Sequence, residues 1–265
     1  MKFSACLTLA ALSAMLAAPP AAATTREEAT LQNSLVVLRE LQDMRDMQIP
    51  DQLLARAEGI VILPSNVKVG LIFGARWGNG VLLVRNADRS WSHPVFVTAT
   101  GGSWGFQAGG QVADIVLVLT TRRSIEGITD GKLTLGADAS VAAGPVGRTA
   151  MASTSLTFDS EVYAYSRTQG LFAGVSLEGN GIFIGRKANR RYYDGEDSAA
   201  AIIARPGPPP APAGELMSEI ARLTSGAGDR VSAAAAEPVE GQSERPVEPR
   251  AYPVPDQEAP RAEPR

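Results

Sequence analysis

Cysteine and histidine are almost missing from this chain, which has Cys6 and His93 and no others. Cys6 lies in an N-terminal stretch expected to be removed, so the mature protein has no thiol. Disulfides, thiolate catalysis and cysteine-ligated metals are therefore excluded. One histidine leaves zinc or copper too few ligands, and the scattered acids show no EF-hand order, so no metal and no cofactor is expected. Long apolar runs are also absent after the N-terminus. Ile115 to Leu119 is the most apolar later stretch and is only strand length, whereas a spanning helix needs about 20 residues. Basic arms are lacking too. Four arginines face seven acids between Thr24 and Glu58, and seven arginines face ten acids from Arg205 onward. Nucleic acid is thus not an expected partner. Only the block from Gly59 to Ala204 is mildly basic, with thirteen Lys and Arg against eleven acids, so an anionic partner would be met there.

What is present divides the chain into three parts. Lys2, the apolar run Phe3 to Ala18 and the small residues Ala21-Ala22-Ala23 have the order of a secretory signal. Residues 1–23 are read as that signal, and the mature protein is expected to be periplasmic or secreted, soluble or peripheral to a membrane. Residues 24–204 are read as one domain. Residues 205–265 hold twelve of the eighteen prolines and are expected to be a disordered proline-rich tail. Within that tail only Leu216, Met217, Ile220 and Leu223 have helical spacing.

Thr25-Arg26-Glu27-Glu28 fits a capping box, and Leu31, Leu35, Leu38 and Leu41 recur at helical spacing, which predicts a helix over Thr25 to Met47. A short helix is expected from Pro50, with Leu53, Leu54 and Ala57 on one face. From Ile60 the pattern becomes short β-rich runs broken by Gly, Asn, Asp and Pro: Ile60–Leu63, Val69–Phe73, Val81–Val84, Val95–Val97, Trp104–Gly110, Ile115–Thr120, Lys132–Ala137, Leu156–Tyr165, Leu171–Leu177 and Ile182–Lys187. No crossover-length helical pattern separates most of them. The expected class is mainly β with N-terminal helices (α+β), a curved glycine-rich antiparallel sheet closing into a barrel or sandwich with one or two helices packed on it.

Catalytic motifs are incomplete. Gly101-Gly102-Ser103-Trp104-Gly105 has the outline of a nucleophile elbow, yet His93 precedes Ser103 and no acid lies between them. Gly78-Asn79-Gly80 lacks the third glycine of a dinucleotide loop, and Gly127 to Lys132 is one residue short of a P-loop. Asp114, Asp138 and Glu178 are the acids a carboxylate-pair hydrolase would draw on, though each equally suits a turn or strand end.

Several phrases resemble one family: Ala57-Glu58-Gly59-Ile60, Lys68-Val69-Gly70, Gly78-Asn79-Gly80-Val81, Trp91-Ser92-His93-Pro94, Leu135-Gly136-Ala137-Asp138, Gly144-Pro145-Val146-Gly147, and above all Tyr163-Ala164-Tyr165-Ser166 through Gly170 to Gly179. Together they resemble the SYLF domain over about Leu31 to Ala204. The resemblance implies a non-catalytic lipid-binding module, in eukaryotic members one that binds phosphoinositides and regulates actin. Behind an export signal no actin partner is expected. The expected partner is instead an anionic phospholipid or membrane surface, bound through basic side chains at one end of the β domain. Lys187, Arg190 and Arg191 are the first candidates, then Lys68, Arg122 and Arg123, because guanidinium forks and ammonium groups suit phosphate oxygens. The same cations would also suit plain protection of sheet edges. The alternatives are an envelope protein-interaction role using the tail and a Ser103 or carboxylate hydrolase. Because five acids accompany three arginines in the first helix, that helix is expected to pack on the sheet and not to enter anionic lipid.

Overall fold

The computed structural model describes residues 25–44, 48–70, 73–104, 109–144, 158–168 and 179–236. The signal-like segment, the run Leu171–Leu177 and Glu178 lie outside them. Helix α1 spans Arg26–Asp43 and begins with the expected capping box: the Glu28 amide donates to Thr25 Oγ1 at 3.2 Å, and the Thr25 amide to Glu28 Oε2 at 2.8 Å. Its stripe Leu31, Leu35, Leu38 and Leu41 is buried. Helix α2, Asp51–Arg56, takes Pro50 as its cap and buries Leu53 and Leu54.

Eight strands follow: β1 Gly59–Gly70, β2 Phe73–Val84, β3 Val95–Trp104, β4 Gly109–Leu119, β5 Lys132–Thr134, β6 Val141–Ala143, β7 Val162–Thr168 and β8 Gly181–Ile184. They form one curled half-barrel in the order β5-β8-β3-β2-β1-β4-β7-β6. The curved α+β sheet is as expected. Two details differ from the expectation: β6 pairs with β7 in parallel, and β5 and β6 are left as edges instead of closing the sheet.

Strand β1 carries a bulge. Pro64 has no amide to donate, Ser65 adopts φ 55°, and the register to both neighbours shifts there. Asp114 Oδ1 accepts the Ser65 amide at 2.9 Å, so this acid is a bulge anchor. Its other oxygen meets Arg167 at 3.2 Å, and Arg167 also reaches Glu40 of α1 at 2.7 Å. Two strand glycines permit the curl. A Cβ on Gly80 would lie 1.9 Å from the Ile62 carbonyl, and one on Gly101 would lie 1.6 Å from Asn180 Oδ1. Gly78-Asn79-Gly80 is therefore strand backbone under close approach, and no nucleotide loop.

Below the bulge, Ile60–Leu63, Val81–Val84 and Ile115–Leu119 are buried residue after residue, so both faces of the sheet are covered there. Beyond it burial alternates. Ala75, Trp77, Asn79, Thr100 and Val112 lie outward, while Asn66, Gly78 and Ala99 lie inward. Helix α1 crosses the outward face, linked to β7 through Glu40 and Arg167 at one end.

Four further helices follow among the described residues, and three of them correct the sequence reading. α3, Arg122–Thr129, is capped by Thr121, so the P-loop-like run is a helix end plus a turn at Gly131. α4, Arg186–Tyr192, takes the end of the strand expected over Ile182 to Lys187, whose first half is β8, and α5 spans Ala199–Ile203. The third correction is α6, Ala211–Ala236, which lies inside the region expected to be a disordered tail. Its Leu216, Ile220, Leu223 and Ala227 recur at helical spacing and are buried against α1 and α2. Trp91 Nε1 donates to Thr224 Oγ1 at 3.1 Å, and Arg230 pairs with Asp51 at 2.5 Å. The stripe of α1 is thus shared between the sheet and α6, not covered by the sheet alone.

Candidate anion-binding cleft

A cleft of about 440 Å³ opens where the first turn of α1, the start of α4 and strands β2, β3 and β8 meet. Its construction begins at Gly185, where a Cβ would come 3.1 Å from the Phe96 carbonyl, so the chain leaves β8 close against β3. Asn189 is fully buried and fixes α4 there. Its Oδ1 accepts the Phe96 amide at 2.7 Å and its Nδ2 donates to the Phe96 carbonyl at 3.2 Å. With α4 held, Lys187 and Arg191 stand one turn apart and line the cleft, joined by Arg186.

From α1 come Arg26, Glu27 and Thr30; the floor includes Asn79 and Thr98, whose Oγ1 donates to Asn79 Oδ1 at 3.2 Å. Four cations therefore line the cleft with one acid. That acid is committed: buried Glu27 accepts Arg191 Nε at 2.9 Å and also meets its Nη2. Lys187 and Arg26 have no ion pair among the described residues. Behind the cleft, burial first and then the charge of Glu28 push the Tyr192 hydroxyl up to about 12, and burial raises Tyr193 as well. An excess of positive charge over a floor that mixes Asn79 and Thr98 with Phe96, Val97 and Ile184 suits a phosphate group, with forked donors from arginine and a point charge from lysine.

The structure brings together only part of the expected cation set. Lys187 and Arg191 line the cleft, and Arg190 stands beside it, paired with Asp197. Lys68 lies on the opposite sheet face, across from Arg76 and Gln111, and has partners of its own. Arg122 pairs with Glu58 at 2.7 Å and donates to the Arg85 carbonyl at 2.6 Å, and neither it nor Arg123 lines the cleft. Arg26 and Arg186 were missed as site residues. Arg186 adjoins Lys187 in sequence and was within reach of the same reasoning, whereas Arg26 comes near only because α1 folds across the sheet.

The hydrolase constellation does not assemble. Ser103 is ten residues from His93 along the line of β3, roughly 30 Å at strand rise. His93 Nε2 instead donates to the Gly207 carbonyl at 3.1 Å. Asp138 accepts the Thr134 amide at 2.6 Å, and that hydrogen bond holds its carboxyl below the usual range. Among the described residues no group of three His, Cys, Asp or Glu is placed to hold a metal, and no helix is long and apolar enough to cross a membrane.

Fold and cleft together define a helix-clad, curled half-barrel with a cationic mouth. Residues 100–223 match the family described as Ysc84, Las17-binding protein actin regulator, a match that runs from β3 into α6. The match is to the Ysc84, or SYLF, domain family, over a little under half of the chain. It is 39% identical over 170 residues to LAS seventeen-binding protein 3 of Saccharomyces cerevisiae, covering 63% of this chain and 37% of that protein. It is 36% identical over 186 residues to SH3 domain-containing YSC84-like protein 1 of Homo sapiens, covering 68% and 54%. Protein YSC84 of S. cerevisiae is 38% identical over 162 residues, 60% of this chain and 34% of the relative. The chain thus spans about a third to a half of the relatives it matches, one of which is named for binding another protein.

Proposed function

We propose that this protein is a peripheral membrane-binding module that captures an anionic phosphate-bearing head group in the cleft between α1 and α4. The observation that carries this reading is the convergence of Arg26, Arg186, Lys187 and Arg191 on one cleft whose single acid is already paired. In the exported form predicted from residues 1–23, the surface met would be one facing the periplasm or the exterior. The test is flotation of the mature protein with phosphatidylcholine vesicles, with and without phosphatidylglycerol, at low and high salt. Binding is expected only with the anionic lipid and should weaken as salt screens it. Equal binding to neutral vesicles would overturn the electrostatic reading.

A protein-binding role is the second reading, favoured by relatives named as Las17-binding. Here the candidate arm is the proline-rich segment 237–265, because α6 is part of the packed fold. Removal of residues 237–265 should abolish partner capture under this reading and leave vesicle binding unchanged under the first.

A further inference from the structure

Beyond the bulge, three apolar side chains stay in water on the outward sheet face: Trp77 at 46%, Val69 at 41% and Val112 at 43% exposure. They are not scattered. Val67 pairs across to Trp77 on one side and to Val112 on the other, and Val69 follows two residues along, so all four share one face of three adjacent strands. Trp91 is buried with its indole N–H on Thr224, whereas no acceptor for the Trp77 indole stands among the described residues. Asn79, on the cleft floor, is two residues from Trp77 on the same face, about 7 Å at strand rise. The apolar row and the cationic cleft therefore open on one surface.

We propose that this row seats in the interfacial layer of an anionic bilayer, so that lipid is met by an apolar sheet face and a head-group cleft at once. The inference rests on the membrane-binding reading and deepens it. A tryptophan suits that depth because its ring is apolar while its N–H needs a wet partner. Among the described residues of the strands that bear the row, β1 and β2 carry no Asp or Glu, and the one acid of β4, Asp114, is held by the Ser65 amide and paired with Arg167, so little on them opposes an anionic surface. A second copy of the chain fits less well. Three partly exposed side chains offer far less than the roughly 800 Å² per partner of a stable interface, and a symmetric pair would bring two cationic clefts towards each other.

The test uses the mature protein and vesicles of phosphatidylcholine with phosphatidylglycerol, reading tryptophan emission and its quenching by acyl-chain-brominated lipid. The wild type should shift to the blue and be quenched. Trp77→Phe should lose that response with its melting temperature unchanged, and Trp77→Ala/Val112→Ser should bind at least fivefold more weakly. Anionic-vesicle binding with an unchanged spectrum, or a response retained by Trp77→Phe, overturns the seat while leaving the cleft standing. A Trp77 response with neutral vesicles as strong as with anionic ones supports the seat and sinks the cleft reading, and no vesicle binding overturns both. Concentration-dependent self-association lost in Trp77→Glu, without a vesicle response, would give the row to a second copy instead.

Discussion

Two adjacent tyrosines show how far local packing decides the effect of one atom. Tyr193 Oη donates to the Pro94 carbonyl at 2.6 Å in a buried site, while the Tyr192 hydroxyl is buried with no partner among the described residues. Tyr193→Phe should therefore cost about 1 to 3 kcal/mol in urea unfolding, because an acceptor is left dry, and Tyr192→Phe should be neutral or slightly stabilising. Their titration has a definite sign. The folded Tyr192 hydroxyl titrates near 12, above the ordinary 10, so it favours the folded state fully below pH 10 and ceases to as pH rises towards 12. Alkaline unfolding should move to higher pH in Tyr192→Phe. None of this contrast was legible in Tyr192-Tyr193 as a sequence, since both rings meet Phe96 and it depends on which hydroxyl reaches the Pro94 carbonyl.

Helix α1 was legible because its signals are local. Thr25 to Glu28 cap it and a leucine every third or fourth residue faces inward, so start and buried face came from neighbours in sequence, whereas the helix ends at Asp43, with Met44 extended, short of the expected Met47. Leu38 is fully buried, and Leu38→Ala should cost about 2 to 5 kcal/mol. Leu35→Asp or Leu38→Asp should unfold the domain outright, an outcome read by thermal melting. An unchanged melt with membrane association lost would instead place this stripe in lipid. Helix α4 was not legible in the same way. Arg186 to Tyr192 has no apolar stripe, and what fixes it is Asn189 gripping Phe96, ninety-three residues away in sequence. The cleft was half legible for that reason: the basic run was visible, while its facing partner Arg26 and the pairing of Arg191 with Glu27 are products of the tertiary fold. Arg191→Ala should lower stability as well as binding, since it strands a buried carboxylate, so Lys187 is the cleaner probe.

At the scale of the molecule, the C-terminal region was misjudged because composition speaks for averages. Prolines before Ala211 and after Ala236 mask the 26-residue helix between them, whose few large apolar residues all fall on one stripe. Truncation after Arg205 should expose α1 and α2 and lower the melting temperature by many degrees, while truncation after Ala236 should leave it nearly unchanged. The same whole-molecule view separates the cleft from the other cations. Arg89 and Arg123 are exposed and do not line it. The most direct measurement compares anionic-vesicle affinity of Arg26→Gln/Lys187→Gln with that of Arg89→Gln/Arg123→Gln, each removing two positive charges from the native, folded protein. The cleft pair should lose most of the preference for phosphatidylglycerol and the remote pair should keep it. Equal losses from both, or none from the cleft pair, would contradict a head-group site between α1 and α4.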